Sequence, residues 1–281
     1  MIYHPIGVFD SGLGGLSVLS EIRRLLPNED LLYVADSGHA PYGDKPLSTI
    51  EARAIAITEF LLDQGAKAIV VACNTATGAA ARVLRSRYPV PIIAMEPAVK
   101  PAIERTRSGV VAVLATRQTL ASHNFSVLLA RLGQGVEILP RPCPGLVEQV
   151  EAGDLDGDRT RDLLWGYLEP LLARGADTLV LGCTHYPFLT PLIQELAGPD
   201  TLVLDSGTAV ARQVRRRLNE AGLLAPPEKT GREHFWTSGK NASTHGLMTR
   251  LWGAEVILAP FIEDAIRPAP TSCVGLALEA I

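Results

Sequence analysis

Two cysteines in this 281-residue chain stand where chemistry is possible. In KAIVVACNTATG (67–78) a run of small and β-branched apolar residues stops at Cys73, followed by Asn74, Thr75 and Thr77. In DTLVLGCTHYPF (177–188) a second apolar run stops at Cys183, followed by Thr184 and His185. Short apolar runs bounded by polar residues read as buried strands of a parallel sheet. Ligands of such sheets bind beyond the carboxyl ends of the strands. A lone cysteine at a strand end is most often a core side chain. Two in equivalent surroundings, each followed by hydroxyl or amide residues, point to a polar cleft entered by one thiol from each side. Acid–base groups flanking one carbon can remove a proton from one face and return it on the other, which inverts a stereocentre. A disulfide between the two is the competing reading, disfavoured in a reducing compartment.

The elements that must position these thiols form an internal repeat. IGVFD (6–10), LLYVAD (31–36), AIVVAC (68–73) and PIIAM (91–95) read as strands. Between them, 15–26, 48–65 and 75–88 have helical apolar spacing, with Ser48 and Glu51 as a capping pair for the second of these helices and Gly65 as its stop. The pattern then restarts: GVVAVLAT (109–116), a helix over 119–132, VEILPRPCP (136–144), a helix over 159–175, TLVLGC (178–183) and TLVLD (201–205). Pro170 is expected to bend or break the 159–175 helix. Asp10 and Ser11 align with Ala115 and Thr116 at an offset of 105, and from Leu61 to Pro97 the offset is 110 without gaps. In LLDQGAKAIVVACNT against LLARGADTLVLGCTH, six of fifteen positions are identical, the cysteine included. That exceeds what two generic α/β segments share, so the chain reads as two similar units.

The expected fold is α/β, with two similar doubly wound parallel-sheet domains related by pseudo-two-fold symmetry and a cleft between them. Residues 1–97 plus 207–265 form the first domain and 98–206 the second, because a helix after 202–224, a strand in EHFWTSGK (233–240), a helix at 247–253 and a strand at 255–259 return to the first unit. Residues 266–281 show no clear period and read as a tail.

Composition narrows the function. With 47% apolar residues and a net charge of −4, the chain is an ordered globular protein. No basic run exceeds Arg215–Arg217, so nothing argues for a nucleic-acid partner. No leader pattern and no uninterrupted apolar span of about 18 residues appears. A cytoplasmic protein with no membrane partner is expected. Cys73, Cys143, Cys183 and Cys273 lack C-x-x-C spacing, so no metal site is expected from them.

GVFDSGLGGLSVL, YVADSGHAPYGDK, VVACNTAT and LVLGCTHYP, in this order, resemble glutamate racemase, of the cofactor-independent aspartate/glutamate racemase superfamily. The resemblance spans roughly residues 5–260. It implies interconversion of L- and D-glutamate without a cofactor, D-glutamate for peptidoglycan synthesis, and a homodimer. It places Asp10 beside Cys73, and His185 with Glu151 beside Cys183, as catalytic groups, with Cys183 deprotonating the L-isomer and Cys73 the D-isomer. The chemistry needs such helpers, since a thiol with a pKa of about 8.5 is mostly protonated at neutral pH. Glu148 lies close enough to Glu151 to be confused with it, and both could be solvated helix charges. Asp10, Ser11, Asn74, Thr75, Thr116, Thr184 and His185 offer polar side chains for the substrate. Tyr42 and Gly43, in PYGD, resemble the family loop that offers backbone groups. Thr119 is the expected cap of its helix, which leaves Thr116 free for the cleft.

Other readings compete with this one. Gly12, Gly14 and Ser17 after a strand, with Asp36 ending the next, mimic a dinucleotide fingerprint. Ser17 stands where the third glycine belongs, and Asp10 would set a negative charge near the pyrophosphate. A turn of this kind at a helix N-terminus can equally receive a carboxylate. A pyridoxal enzyme is disfavoured because none of the five lysines (Lys45, Lys67, Lys100, Lys229, Lys240) lies at a cysteine-bearing strand end. A racemase of aspartate or a related carboxylate, and a non-catalytic two-domain binding protein, are the alternatives. A binding protein has no need of opposed thiols.

Overall fold

The computed structural model describes residues 1–132, 135–239 and 242–261. The elements run β1 (Ile6–Asp10), α1 (Leu16–Leu25), β2 (Leu31–Ala35), α2 (Leu47–Asp63), β3 (Ala68–Val71), α3 (Asn74–Arg87), β4 (Ile92–Ala94) and α4 (Val99–Arg105). The second run is β5 (Val110–Ala115), α5 (Arg117–Ala121), α6 (His123–Leu132), β6 (Glu137–Pro142), α7 (Leu146–Glu151), α8 (Asp158–Ala173), β7 (Thr178–Leu181), α9 (Thr190–Ala197) and β8 (Leu202–Leu204). The chain closes with α10 (Gly207–Glu220), β9 (Glu233–Thr237), α11 (Ala242–Trp252) and β10 (Leu258–Pro260).

All strand pairs are parallel and fall into two sheets, ordered β10-β9-β2-β1-β3-β4 and β6-β5-β7-β8. The shared order β2-β1-β3-β4 and β6-β5-β7-β8 is the repeat made visible. At the sequence offset of 110, β3 falls on β7 and β4 on β8 residue for residue. Two similar parallel α/β units are therefore present, as expected.

Each sheet is covered on both faces, which is why its strands carry apolar residues at consecutive positions. In the larger sheet Ile6, Val8, Tyr33 and Val70 face Leu19 and Ile22 of α1 and Val214 of α10. Alternate residues Phe9, Val34, Ile69 and Val71 face Ile50, Ile57 and Leu61 of α2 and Leu84 of α3. The smaller sheet is covered in the same way by two further clusters. Fully burying each such Leu, Ile or Val stabilises the fold by about 1.5–3 kcal/mol. α10 shares a core with α1, while β9 and β10 extend the larger sheet.

Five local expectations are corrected. α2 begins at Leu47 after Pro46, and Ser48 makes no capping bond; the fixed backbone of Pro46 already sets the entry, its carbonyl accepting from Thr49 N and Ile50 N. The helix expected over 119–132 is two helices, because Ser122 leaves the helical region and its hydroxyl accepts from Phe125 N at 3.1 Å. Thr116, not Thr119, caps α5, accepting from Thr119 N at 3.2 Å. α8 runs unbroken through Pro170, and the carbonyl of Gly166, four residues earlier, accepts instead from Arg141 Nη2 at 3.2 Å. The last strand starts at Leu258, later than expected. The tail 266–281, with Cys273, lies outside the described residues. No described helix is long and apolar enough to cross a membrane.

Candidate active site

The strand ends deliver the two thiols. Cys73 lies just past β3 and caps α3, its sulfur accepting from Ala76 N at 3.3 Å. Asp10 ends β1, and β1 pairs with β3 in a register that sets Phe9 opposite Val71. Asp10 and Cys73 therefore emerge side by side. Cys183 lies two residues past β7 at the equivalent point of the second sheet. One narrow cavity is lined by Cys73 and Cys183 together with Ser11, Asn74, Thr184 and His185.

On the Cys73 side the carboxylate acts at one remove. Ser11 Oγ lies 3.7 Å from Cys73 Sγ and donates to Asp10 Oδ1 at 3.3 Å. Asp10 is fully buried and also accepts from Gly15 N at 2.8 Å and from the Thr184 hydroxyl at 3.4 Å. Burial raises its pKa, against the opposing charge of His185 and the bond from Gly15. Burial likewise pushes the Cys73 thiol well up, and the charge of Asp10 adds to it. Cys73 is a protonated thiol at neutral pH.

The Cys183 side is built differently. His185 Nδ1 lies 3.8 Å from Cys183 Sγ, and Nε2 lies 2.7 Å from Glu151 Oε1. Burial would lower the pKa of this imidazole, but its bonds to Cys183 and Glu151 outweigh that and hold it well above its ordinary value. His185 is thus held toward its protonated form between the Cys183 sulfur and the Glu151 carboxylate, with Gly14 N also 3.3 Å from Nε2. Glu151 also accepts from Leu13 N at 2.6 Å, across 138 residues of sequence. The candidate pair of glutamates is thereby separated: Glu151 bonds His185, while Glu148 is exposed.

The cavity walls carry the remaining residues expected from sequence. Asn74 is buried, and neither its amide nitrogen nor its carbonyl oxygen has a partner. Such a group is costly unless a ligand satisfies it. The hydroxyls of Thr75, Thr116 and Thr119 lie within 2.9–3.2 Å of one another and join the two halves. Tyr42 and Gly43 also line the cavity, and a Cβ on Gly43 would meet Thr116 Cβ at 3.1 Å. Pro41 and Val147 complete the lining and were not expected. Pro41 opens the PYGD motif, and Val147 lies four residues before Glu151, on the same face of α7. The free volume is about 10 Å³, room for roughly one water. A larger molecule enters only if the halves part.

The Gly-rich turn is taken up by this machinery. Gly12 and Gly14 leave no room for a side chain: a Cβ would lie 2.0 Å from Glu151 Oε1 and 2.2 Å from His185 Nδ1 respectively. Its amides at Leu13 and Gly15 serve Glu151 and Asp10 rather than a phosphate. Cys73, Cys143 and Cys183 are free thiols. Among the described residues no group of three His, Cys, Asp or Glu is placed to hold a metal ion.

Comparison with known proteins agrees with this architecture. The family model for Asp/Glu/Hydantoin racemase matches residues 6–214. A glutamate racemase from Methylococcus capsulatus is 58% identical over 249 residues, covering 89% of this chain and 92% of that protein. The crystal structure of a glutamate racemase isoform from Bacillus anthracis superposes with a TM-score of 0.85 at 32% identity, covering 93% of this chain and 98% of the other. That of the Escherichia coli glutamate racemase, in complex with L-glutamate and the activator UDP-MurNAc-Ala, gives 0.81 at 33% identity, covering 92% and 98%. The chain belongs to the Asp/Glu/Hydantoin racemase family, among its glutamate racemases.

Proposed function

We propose that this protein interconverts L- and D-glutamate by a two-base transfer at Cα, with Cys73 and Cys183 as the proton carriers. The observation that carries the mechanism is the pair of thiols at equivalent strand ends lining one cavity. Cys183, with His185 Nδ1 3.8 Å from its sulfur, is the base toward L-glutamate, and Cys73, whose thiol burial holds protonated, is the acid. With L-glutamate bound, the Cys183 thiolate takes the Cα proton, the electron pair stays on the substrate carbon, and the Cys73 thiol returns a proton on the opposite face. The two sulfurs then hold each other's starting state, and D-glutamate runs the steps in reverse. Asn74, Thr75, Thr116, Thr184 and the Tyr42–Gly43 backbone hold the carboxylates and ammonium. Ser11 couples Cys73 to Asp10, and His185 with Glu151 supports Cys183.

No step of this scheme calls on a cofactor. The D-isomer would supply peptidoglycan synthesis in the cytoplasm, and a homodimer, checked by light scattering, is the assembly the family resemblance implies. Cys73→Ser and Cys183→Ser should each abolish racemisation, since a hydroxyl is a far weaker acid than a thiol. In deuterated buffer the wild type should place label at Cα of the product hand in the first turnover, with little in recovered substrate. Near-normal racemisation by either variant would overturn the two-thiol mechanism. Faster turnover of aspartate than of glutamate would overturn the substrate.

A further inference from the structure

Outside the catalytic groups, the most heavily bonded side chain near the cleft is Asp36. It follows β2 directly and is fully buried. Arg53 of α2 approaches it with Nε at 2.9 Å and Nη2 at 2.8 Å. Ser238, after β9, donates to Oδ1 at 2.6 Å, His39 Nδ1 lies 3.0 Å from the same oxygen, and the Tyr42 hydroxyl donates to Oδ2 at 2.5 Å. Burial would raise the pKa of this carboxyl, but the bonds from Arg53, Ser238 and Tyr42 outweigh it and hold it ionised. Three separate segments thus meet on one carboxylate.

Tyr42 is the consequential partner. Tyr42 is buried, and with Gly43 it lines the cavity that holds both thiols. The following residues reach the second half: Gln118 Nε2 donates to Lys45 O at 3.1 Å, and Arg117 Nη1 lies 3.4 Å from Asp44 Oδ1. Of these outer contacts, Arg117–Asp44 is exposed and weak, and the Gln118–Lys45 bond is only partly buried. The inner one is buried and charge-assisted, and so sets where the loop sits.

We infer that Asp36 is a positioning residue for substrate binding, fixing the Tyr42–Gly43 backbone against Thr116 through the Tyr42 hydroxyl. It carries no proton in the reaction. This rests on the cleft being the glutamate site. Loss of the clamp weakens ground state and transition state alike, which raises KM and spares kcat.

The test is steady-state kinetics in both directions for Asp36→Asn, Tyr42→Phe, Ser238→Ala and, as control, Asp177→Asn. Asp177 binds Thr106 and the backbone amides of Arg107 and Ser108 at the far end of the smaller sheet, so its loss lowers stability without touching the loop. Asp36→Asn should raise KM for both enantiomers about tenfold, with kcat within about threefold, as expected for one lost charge-assisted bond. Tyr42→Phe keeps the Asp36–Arg53 pair and should give the same pattern at smaller size, with Ser238→Ala smaller again. Asp177→Asn should melt earlier with unchanged KM. Asp36→Asn with unchanged KM, or with kcat alone reduced, overturns the inference; if that variant does not fold, unchanged KM in Tyr42→Phe does so. Racemisation surviving Cys73→Ser would instead remove the underlying reading of the site.

Discussion

The Cys183 sulfur lies 3.8 Å from His185 Nδ1, whereas the nearest polar side-chain contact of Cys73 is a hydroxyl, Ser11 Oγ at 3.7 Å. The two halves of a nearly symmetric cleft are thus electrostatically unequal. One thiol has a cation to sit against. The other is shielded from its carboxylate helper by an intervening serine. Removing either helper should slow the reaction, but not equally in the two directions.

His185→Gln should lower kcat by about 10²–10⁴-fold, the range for a positioned acid–base group. The direction that starts with Cys183 as base should suffer more, because that step draws on the sulfur that faces His185. Asp10→Asn should show the opposite bias through Ser11 and Cys73. Initial rates from each enantiomer decide it, and equal losses in both directions would contradict the assignment.

Stability should carry the same signature. The folded-state pKa of His185 is raised above its ordinary 6.5. A raised value means that the pairing with Glu151 and Cys183 stabilises fully below the unfolded value and fades as pH rises through the folded one. The gap in urea midpoint between wild type and His185→Gln should therefore be widest below the ordinary imidazole value of about 6.5 and narrow as pH rises above it. A gap that widens with pH would mean the ring is neutral in the folded protein.

Much of this was legible in the sequence, for physical reasons. The strand that ends at Cys73 and the one that ends at Cys183 are buried on both faces, so their apolar runs survive at a fixed offset. The choice between Glu148 and Glu151 was not legible, since it depends on how α7 is rotated against His185. Val147 was missed because valine is the ordinary residue of a core, and nothing in its type marks a cavity wall. The division of the 119–132 helix turned on the Ser122 hydroxyl competing for Phe125 N, a local contest that helical spacing does not report. Pro170 was expected to interrupt α8, but a remote arginine serves the carbonyl it frees.

Gly14→Ala should act as a steric equivalent of the His185 variant. The added methyl would lie 2.2 Å from Nδ1 of a ring held on both sides, so the ring must leave Cys183 or the turn must move. We expect a destabilisation of roughly 1–3 kcal/mol, typical of overpacking, and a loss of kcat comparable with His185→Gln. The double variant Gly14→Ala/His185→Gln should be little worse in kcat than either alone, because both remove the same contact. Additive losses would show that the glycine acts elsewhere.

Asn74→Ala separates binding from stability most cleanly. Both polar atoms of Asn74 are buried without a partner in the free protein, a condition that costs about 1–3 kcal/mol per group. Alanine removes those atoms and is the better helix former at the first position of α3. The small void left behind offsets part of the gain. The variant should therefore melt at or above the wild-type temperature. If the amide waits for a substrate carboxylate or ammonium, the same variant should raise KM for both enantiomers about tenfold, as for one hydrogen bond to a charged group. Thermal melts with and without saturating glutamate read both effects: the wild type should gain more from ligand than Asn74→Ala does. Equal ligand stabilisation of the two proteins would show that the amide does not touch the substrate.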